Sequence, residues 1–121
     1  MDETNLFLQI NKAKDSKNLT DLEKKHLPVI DCPDKVRKGD QFQVSIEAGK
    51  LLEHPNENIH YIEWIELLAD DLFISRIDLI PVVGKPKVTL TISLNESHNL
   101  RARIRCNLHG IWEYTREVKV E

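Results

Sequence analysis

Between residues 40 and 120 the sequence alternates apolar and polar positions with a period of two, and this period constrains the fold more than any other feature. Phe42, Val44 and Ile46 alternate with Gln41, Gln43 and Ser45. Val88, Leu90, Ile92 and Leu94 alternate with Thr89, Thr91 and Ser93. Leu100, Ala102, Ile104 and Cys106 alternate with Arg101, Arg103 and Arg105. Trp112, Tyr114, Val118 and Val120 oppose Glu113, Thr115, Glu117 and Lys119. Successive side chains of a β-strand point to opposite faces, so each run describes a strand with one buried face and one wet face. Residues 61–68 and 72–80 alternate less cleanly but are apolar and of strand length. Residues 39–40, 70–71, 81–86 and 95–99 carry turn chemistry. Six or seven short strands without a long amphipathic helix predict an all-β fold, an immunoglobulin-like antiparallel β-sandwich of about seven strands.

Residues 1–25 are polar and charged and read as an N-terminal arm, leaving residues 26–121 as the sandwich domain. Residues 6–10 form a short apolar patch, suited to one turn of helix or a docking strand. Thr20 and Glu23 stand at the spacing of a capping box. The 121 residues fit one domain, and 40% apolar with 31% charged residues is an ordinary globular composition. No apolar run approaches the roughly 18 residues needed to cross a membrane. Acids at Asp2 and Glu3 replace the basic start of a secretory leader, so a reducing cytoplasmic setting is expected for the two cysteines, Cys32 and Cys106. A net charge of −3 argues against a nucleic-acid footprint. The arginine row 101, 103, 105 shares one strand face, as a solvated surface or a docking patch for an acidic partner.

The chemistry-bearing residues are few. Cys106 and His109 are three apart, with Asn107 and Gly110 as turn-permitting neighbours. Thiolate with imidazole suits iron, copper or zinc rather than magnesium or calcium. The same stretch fits a strand end followed by a turn. Cys106 continues the apolar parity of Ile104, which shields the sulfur, as a metal thiolate or a plain core cysteine would require. His54 and His60 reach one ion only if their loop doubles back, and Pro55-Asn56 is good turn chemistry; taken alone they read as surface histidines. Pro28 biases Leu27 to an extended conformation, so His26 is expected on a loop or strand entry rather than in a helix. His98 reads as a surface loop residue and Cys32 as a free thiol.

In order along the chain, Glu-Lys-Lys-His26-Leu-Pro, then His54-Pro-Asn-x3-His60-Tyr-Ile-Glu-Trp-Ile, then Cys106-Asn-Leu-His109-Gly-Ile-Trp resemble the superoxide reductases, the neelaredoxins and the iron-binding domain of desulfoferrodoxins. The resemblance runs from about Glu23 to the C-terminus. It implies an immunoglobulin-like sandwich with one iron per chain, bound in a plane by His26, His54, His60 and His109 and axially by Cys106. The implied reaction is reduction of superoxide to hydrogen peroxide, with electrons from a rubredoxin-like donor. A homo-oligomer, a tetramer in the first instance, is implied as well. Lys25 matches the family's lysine, the cation that attracts superoxide; by itself it reads as a solvated lysine. The family usually reads Glu-Lys-His, and its glutamate can bind ferric iron as a sixth ligand. Here Lys24 stands at that place, and Glu23 would reach only if the chain bulged. Without a Cys-rich N-terminal domain the sequence resembles the one-iron type.

Three other readings remain. A copper electron-transfer site commonly uses an axial methionine, and the single methionine is Met1. A structural zinc site would leave one candidate ligand idle. A non-catalytic immunoglobulin-like interaction module would need no metal.

Overall fold

The computed structural model describes residues 3–121, with side chains from residue 5 onward. A 3-10 helix, Glu3–Leu8, leads into β1 (Ile10–Asn11), and α1 (Asp21–His26) follows. The strands β2 (Val29–Asp31), β3 (Lys35–Val36), β4 (Phe42–Glu47), β5 (Ile62–Ala69), β6 (Leu72–Asp78), β7 (Lys87–Ile92), β8 (His98–Cys106) and β9 (Gly110–Val120) complete the chain. One sheet has the order β1-β9-β8-β5-β6, with β3 also on β9; the other is β2-β4-β7. All pairings are antiparallel except those of β1 and β3 with β9.

The core follows the alternation. Val44, Ile46, Ile65, Leu67, Leu100, Ala102, Ile104 and Val118 are fully buried between the sheets. Burial of one such aliphatic side chain contributes about 1.5–3 kcal/mol, and this is what holds the two layers together. The irregular pattern of β5 has a local cause. Its pairing shifts register between Ile62 and Trp64 and again between Leu67 and Leu68. Each bulge turns the following side chains to the other face, so apolar residues of both parities are buried.

β1 and β3 divide the outer edge of β9 between them. β1 pairs with Ile111 and Trp112, and β3 with Lys119 and Val120. The edge of the longest strand is thus covered at both ends, which removes a template for pairing with other chains. The apolar patch at residues 6–10 is divided between the 3-10 helix and β1, and its Leu6 enters the core.

The expected capping box is formed. Glu23 N donates to Thr20 Oγ1 at 3.1 Å, and Thr20 N donates to Glu23 Oε1 at 2.8 Å. His26 differs from expectation, because it closes α1 rather than sitting on a loop. Pro28 restricts only the residue before it, and Leu27 is indeed extended (φ −63, ψ 123), so the helix can continue up to His26.

The arginine row is not an open patch. Arg101 meets Glu113 and Asp71, Arg103 meets Glu113 and Glu66, and Arg105 meets Glu63. Glu113 was expected on the polar face of β9, yet its side chain is 1% exposed beneath Arg101, Arg103 and Lys12.

Candidate metal centre

Three segments converge at one end of the sandwich. The β8–β9 turn supplies Cys106 and His109, α1 supplies His26, and the loop between β4 and β5 supplies His54 and His60. Cys106 ends β8, paired with Ile62 on one side and Gly110 on the other, and is fully buried. Gly110 has φ +79, a region disfavoured for residues with a Cβ. A Cβ there would also stand 2.5 Å from the carbonyl oxygen of Leu6, so the N-terminal segment can lie on this turn only over a glycine. Gly49 plays a similar part for the long loop: at φ +81, its missing Cβ leaves room for the backbone nitrogen of His54, which would be 2.9 Å away.

The four imidazoles form a closed square. Ring centroids lie 4.7 Å apart for His26–His54, 4.8 Å for His54–His60, 5.3 Å for His60–His109 and 4.9 Å for His109–His26. Donor atoms of His26, His60, Cys106 and His109 all lie within 4.8 Å of one another. His54 is outside that set of four but completes the square of rings. The Nδ1 of His109 is 3.7 Å from Cys106 Sγ. All five candidate ligands are therefore brought together, from positions spread over more than eighty residues. His98 is not among them; its Nδ1 pairs with Asp70 at 2.7 Å. Cys32 is a buried free thiol in the core.

The ring nitrogens indicate what the square is for. His26 Nδ1–H donates to the Leu22 carbonyl at 2.7 Å, and His54 Nδ1–H to the Pro55 carbonyl at 2.6 Å. A neutral imidazole that donates through Nδ1 presents a bare lone pair at Nε2. Among the described residues, the buried Nε2 atoms of His26, His54 and His60 have no hydrogen-bond partner. Three unpartnered buried ring nitrogens, two of them held as acceptors, cost stability unless a cation takes them.

Burial, together with the neighbouring histidines, pushes the pKa of His26 down to about 3 and that of His54 to about 4; His60 is lowered in the same way. The rings thus stay neutral, the form that coordinates metal. At Cys106, burial pushes the thiol up, against backbone N–H bonds from Leu108 and His109. A metal cation would supply the positive counter-charge that stabilises the thiolate against this burial. The residues present therefore fit a metal with both imidazole and thiolate donors.

Trp112 braces two of the segments. Its ring stacks on His26 (5.1 Å, 21°), and its Nε1–H donates to the His109 carbonyl at 3.0 Å. The sequence pattern marked Trp112 only as a core strand residue; its place in the Cys-x-x-His-Gly-x-Trp stretch was the available signal.

Lys25 is half-buried, and its charge acts on both His54 and His60. Glu23 is engaged elsewhere. Oε1 accepts from Thr20 N, and Oε2 accepts from Lys14 N at 3.0 Å. α1 runs without a bulge from Asp21 to His26.

A β-sandwich that closes four imidazoles and one buried thiol around a single point defines a class, the small metalloproteins with a mixed histidine–cysteine centre. Residues 18–115 match the family model described as Desulfoferrodoxin. A protein of Methanocaldococcus jannaschii, provisionally named a superoxide reductase, is 44% identical over 95% of this chain and 97% of its own. A superoxide reductase of Pyrococcus horikoshii is 31% identical, covering 80% and 88%. The solved superoxide reductase (neelaredoxin) of Ignicoccus hospitalis superposes with a TM-score of 0.81 at 36% identity, covering 93% of this chain and 95% of that one. The chain belongs to the desulfoferrodoxin family.

Proposed function

We propose that the protein is a superoxide reductase, which adds one electron and two protons to superoxide to give hydrogen peroxide at a single iron. The observation that carries this reading is the square of imidazoles beside a buried thiol, with three Nε2 atoms that have no other partner among the described residues. The named relatives supply the reaction. His26, His54 and His60 would hold the iron through Nε2, His109 through Nδ1 and Cys106 through Sγ. Iron held by these residues would supply the electron, and the electron density of the Cys106 thiolate would favour its release.

The chain's own residues do the rest. The carbonyls of Leu22 and Pro55 hold two of the rings in one tautomer and orientation. The half-buried Lys25 beside His54 and His60 draws in the superoxide anion. Glu23 remains with the helix cap in this reading, and it would have to leave both of its backbone partners to approach the iron. Lys25→Ala is therefore expected to slow the second-order reaction with superoxide by about tenfold and to flatten its dependence on salt. Stopped-flow measurement at several ionic strengths checks both; an unchanged rate would remove Lys25 from the mechanism.

Unlike dismutation, the reaction consumes an external electron in each turnover. A small rubredoxin-like protein is the proposed donor, and the exposed Ile59 and Leu108, adjacent in the chain to His60 and His109, offer it a landing surface. A homotetramer is the proposed assembly, with exposed Leu72, Phe73, Ile80 and Val83 as the kind of surface it would cover. Among the described residues no helix is long and apolar enough to cross a membrane; the cytoplasm is the proposed location.

The test is stoichiometric. Reduced protein with one iron per chain should form one peroxide for each superoxide consumed and release no dioxygen. A colourless zinc protein, or evolution of dioxygen without use of a donor, would overturn the proposal.

A further inference from the structure

We infer that Asn107 is a positioning residue that sets His60 against the Cys106–His109 turn. This rests on the metal-site reading above but concerns a side chain with no donor role in it. Three hydrogen bonds join Asn107 to the two residues that bracket His60. Asn107 N donates to the Tyr61 carbonyl at 3.2 Å. Tyr61 N donates to Asn107 Oδ1 at 2.9 Å, and Asn107 Nδ2 donates to the Ile59 carbonyl at 2.9 Å.

His60 needs such a fixture more than the other ligands do. His26 is carried by α1, and Cys106 and His109 by the β8–β9 hairpin. The rings of His26 and His54 are held by carbonyls, whereas His60 shows no such ring bond among the described residues. Its own backbone is closed on Glu57, with Glu57 N donating to the His60 carbonyl at 2.9 Å and His60 N to the Glu57 carbonyl at 3.1 Å. That makes 57–60 a tight unit; Ile62 pairs with Cys106 beyond it, and the Asn107 side chain adds the tie on both sides of His60 itself. A carboxamide carries its acceptor and its donor on two separate atoms, so this one side chain accepts from the Tyr61 N–H through Oδ1 and donates to the Ile59 carbonyl through Nδ2. Asn107 immediately follows Cys106, so one residue couples the position of the sulfur to that of the His60 ring.

The experiment follows loss of ferrous iron from the reduced protein to a chromogenic chelator, alongside the thermal midpoint of the metal-free chain and the electron paramagnetic resonance spectrum of the ferric form. Asn107→Leu, which keeps the bulk and loses both polar atoms, is expected to release iron about 10–100-fold faster than the unaltered protein, the usual effect of losing a partner that orients a metal ligand. Asn107→Asp, which keeps the acceptor for Tyr61 and loses the donor to Ile59, is expected to release iron faster too and stands in if Asn107→Leu does not fold. Both should shift the ferric spectrum, which reports the imidazole plane. Val44→Ala, a cavity in the distant core, serves as the control for general loosening; it should lower the thermal midpoint while leaving the spectrum and the release rate near those of the unaltered protein. Unaltered iron retention in the Asn107 variants would overturn the inference, as would equally fast release from Val44→Ala. An unaltered protein that holds no iron would instead overturn the metal reading, and this inference with it.

Discussion

Cys106→Ser is expected to give a folded protein that has lost its sulfur-to-iron absorption band and at least about 100-fold of its superoxide reduction rate, the upper end of what loss of a mere outer partner costs. The size of the effect follows from the position. The sulfur is fully buried at the end of β8 and faces the square of imidazoles, with backbone N–H groups of Leu108 and His109 directed at it. Serine keeps the shape but offers an oxygen that is harder and far less readily ionised than a thiol, so the iron loses the ligand that raises its electron density. The metal-free chain should respond differently. There Cys106 is a thiol that burial keeps protonated, and a serine hydroxyl in the same place costs only about 1–2 kcal/mol of burial and hydrogen-bond mismatch. Metal-free Cys106→Ser should therefore unfold within a few degrees of the metal-free parent while the iron-loaded forms differ widely in colour and rate. A variant that keeps most of the rate would show that the thiolate is not the group that drives electron release.

The contrast between legible and illegible parts of this chain has physical causes. β4, β7, β8 and β9 were readable because each is long enough to repeat its inward position, and the buried sets Val44/Ile46 and Leu100/Ala102/Ile104 are the ones the period predicts. β1, β2 and β3 have two or three residues each, too few to show any period, and their existence depends on free edges of β9 and β4 that only the assembled sheet provides. Of the metal centre, the five side chains could be named from a resemblance in ordered motifs, but the square could not. Nothing in the spacing of His54 and His60 states that Gly49 lets their loop fold back, or that Pro55 turns its carbonyl on His54. The clamp of Asn107 on residues 59–61 is a contact across 46 and 48 positions, beyond the reach of local pattern. Glu23 illustrates the opposite case. The capping-box spacing was visible, and the cap it makes, with a second bond from Lys14, is what occupies the carboxylate.

Glu113 is the place where alternation misleads, and it carries the largest expected loss of stability. Its parity on β9 is polar, yet its carboxylate lies 1% exposed with Arg101 at 2.9 Å, Arg103 at 2.9 Å and Lys12 at 3.2 Å. Lys12 belongs to the segment that follows β1, so this carboxylate ties that segment to the sheet. Glu113→Ala would leave two arginines packed together without their shared counter-charge. Breaking a buried pair in this way costs about 3–5 kcal/mol. The arginine side chains keep 23% and 19% of their surface and can recover some water, so about 2–3 kcal/mol is the expected loss, seen as a lowering of the thermal midpoint by roughly 10 °C. Protonation should mimic the substitution. Burial pushes the Glu113 carboxyl up, but hydrogen bonds from Arg103, Arg101 and Lys12 outweigh it and hold the group below its usual range. A carboxyl depressed in the folded state adds stability above its unfolded pKa of about 4.3, and that stability is lost as pH falls through the folded value. The difference in urea midpoint between the parent and Glu113→Gln should thus be constant from pH 7 to about 5 and should close below about 4. A difference that stays flat down to pH 3 would mean that the three cations do not hold this carboxylate, and that packing alone accounts for its burial.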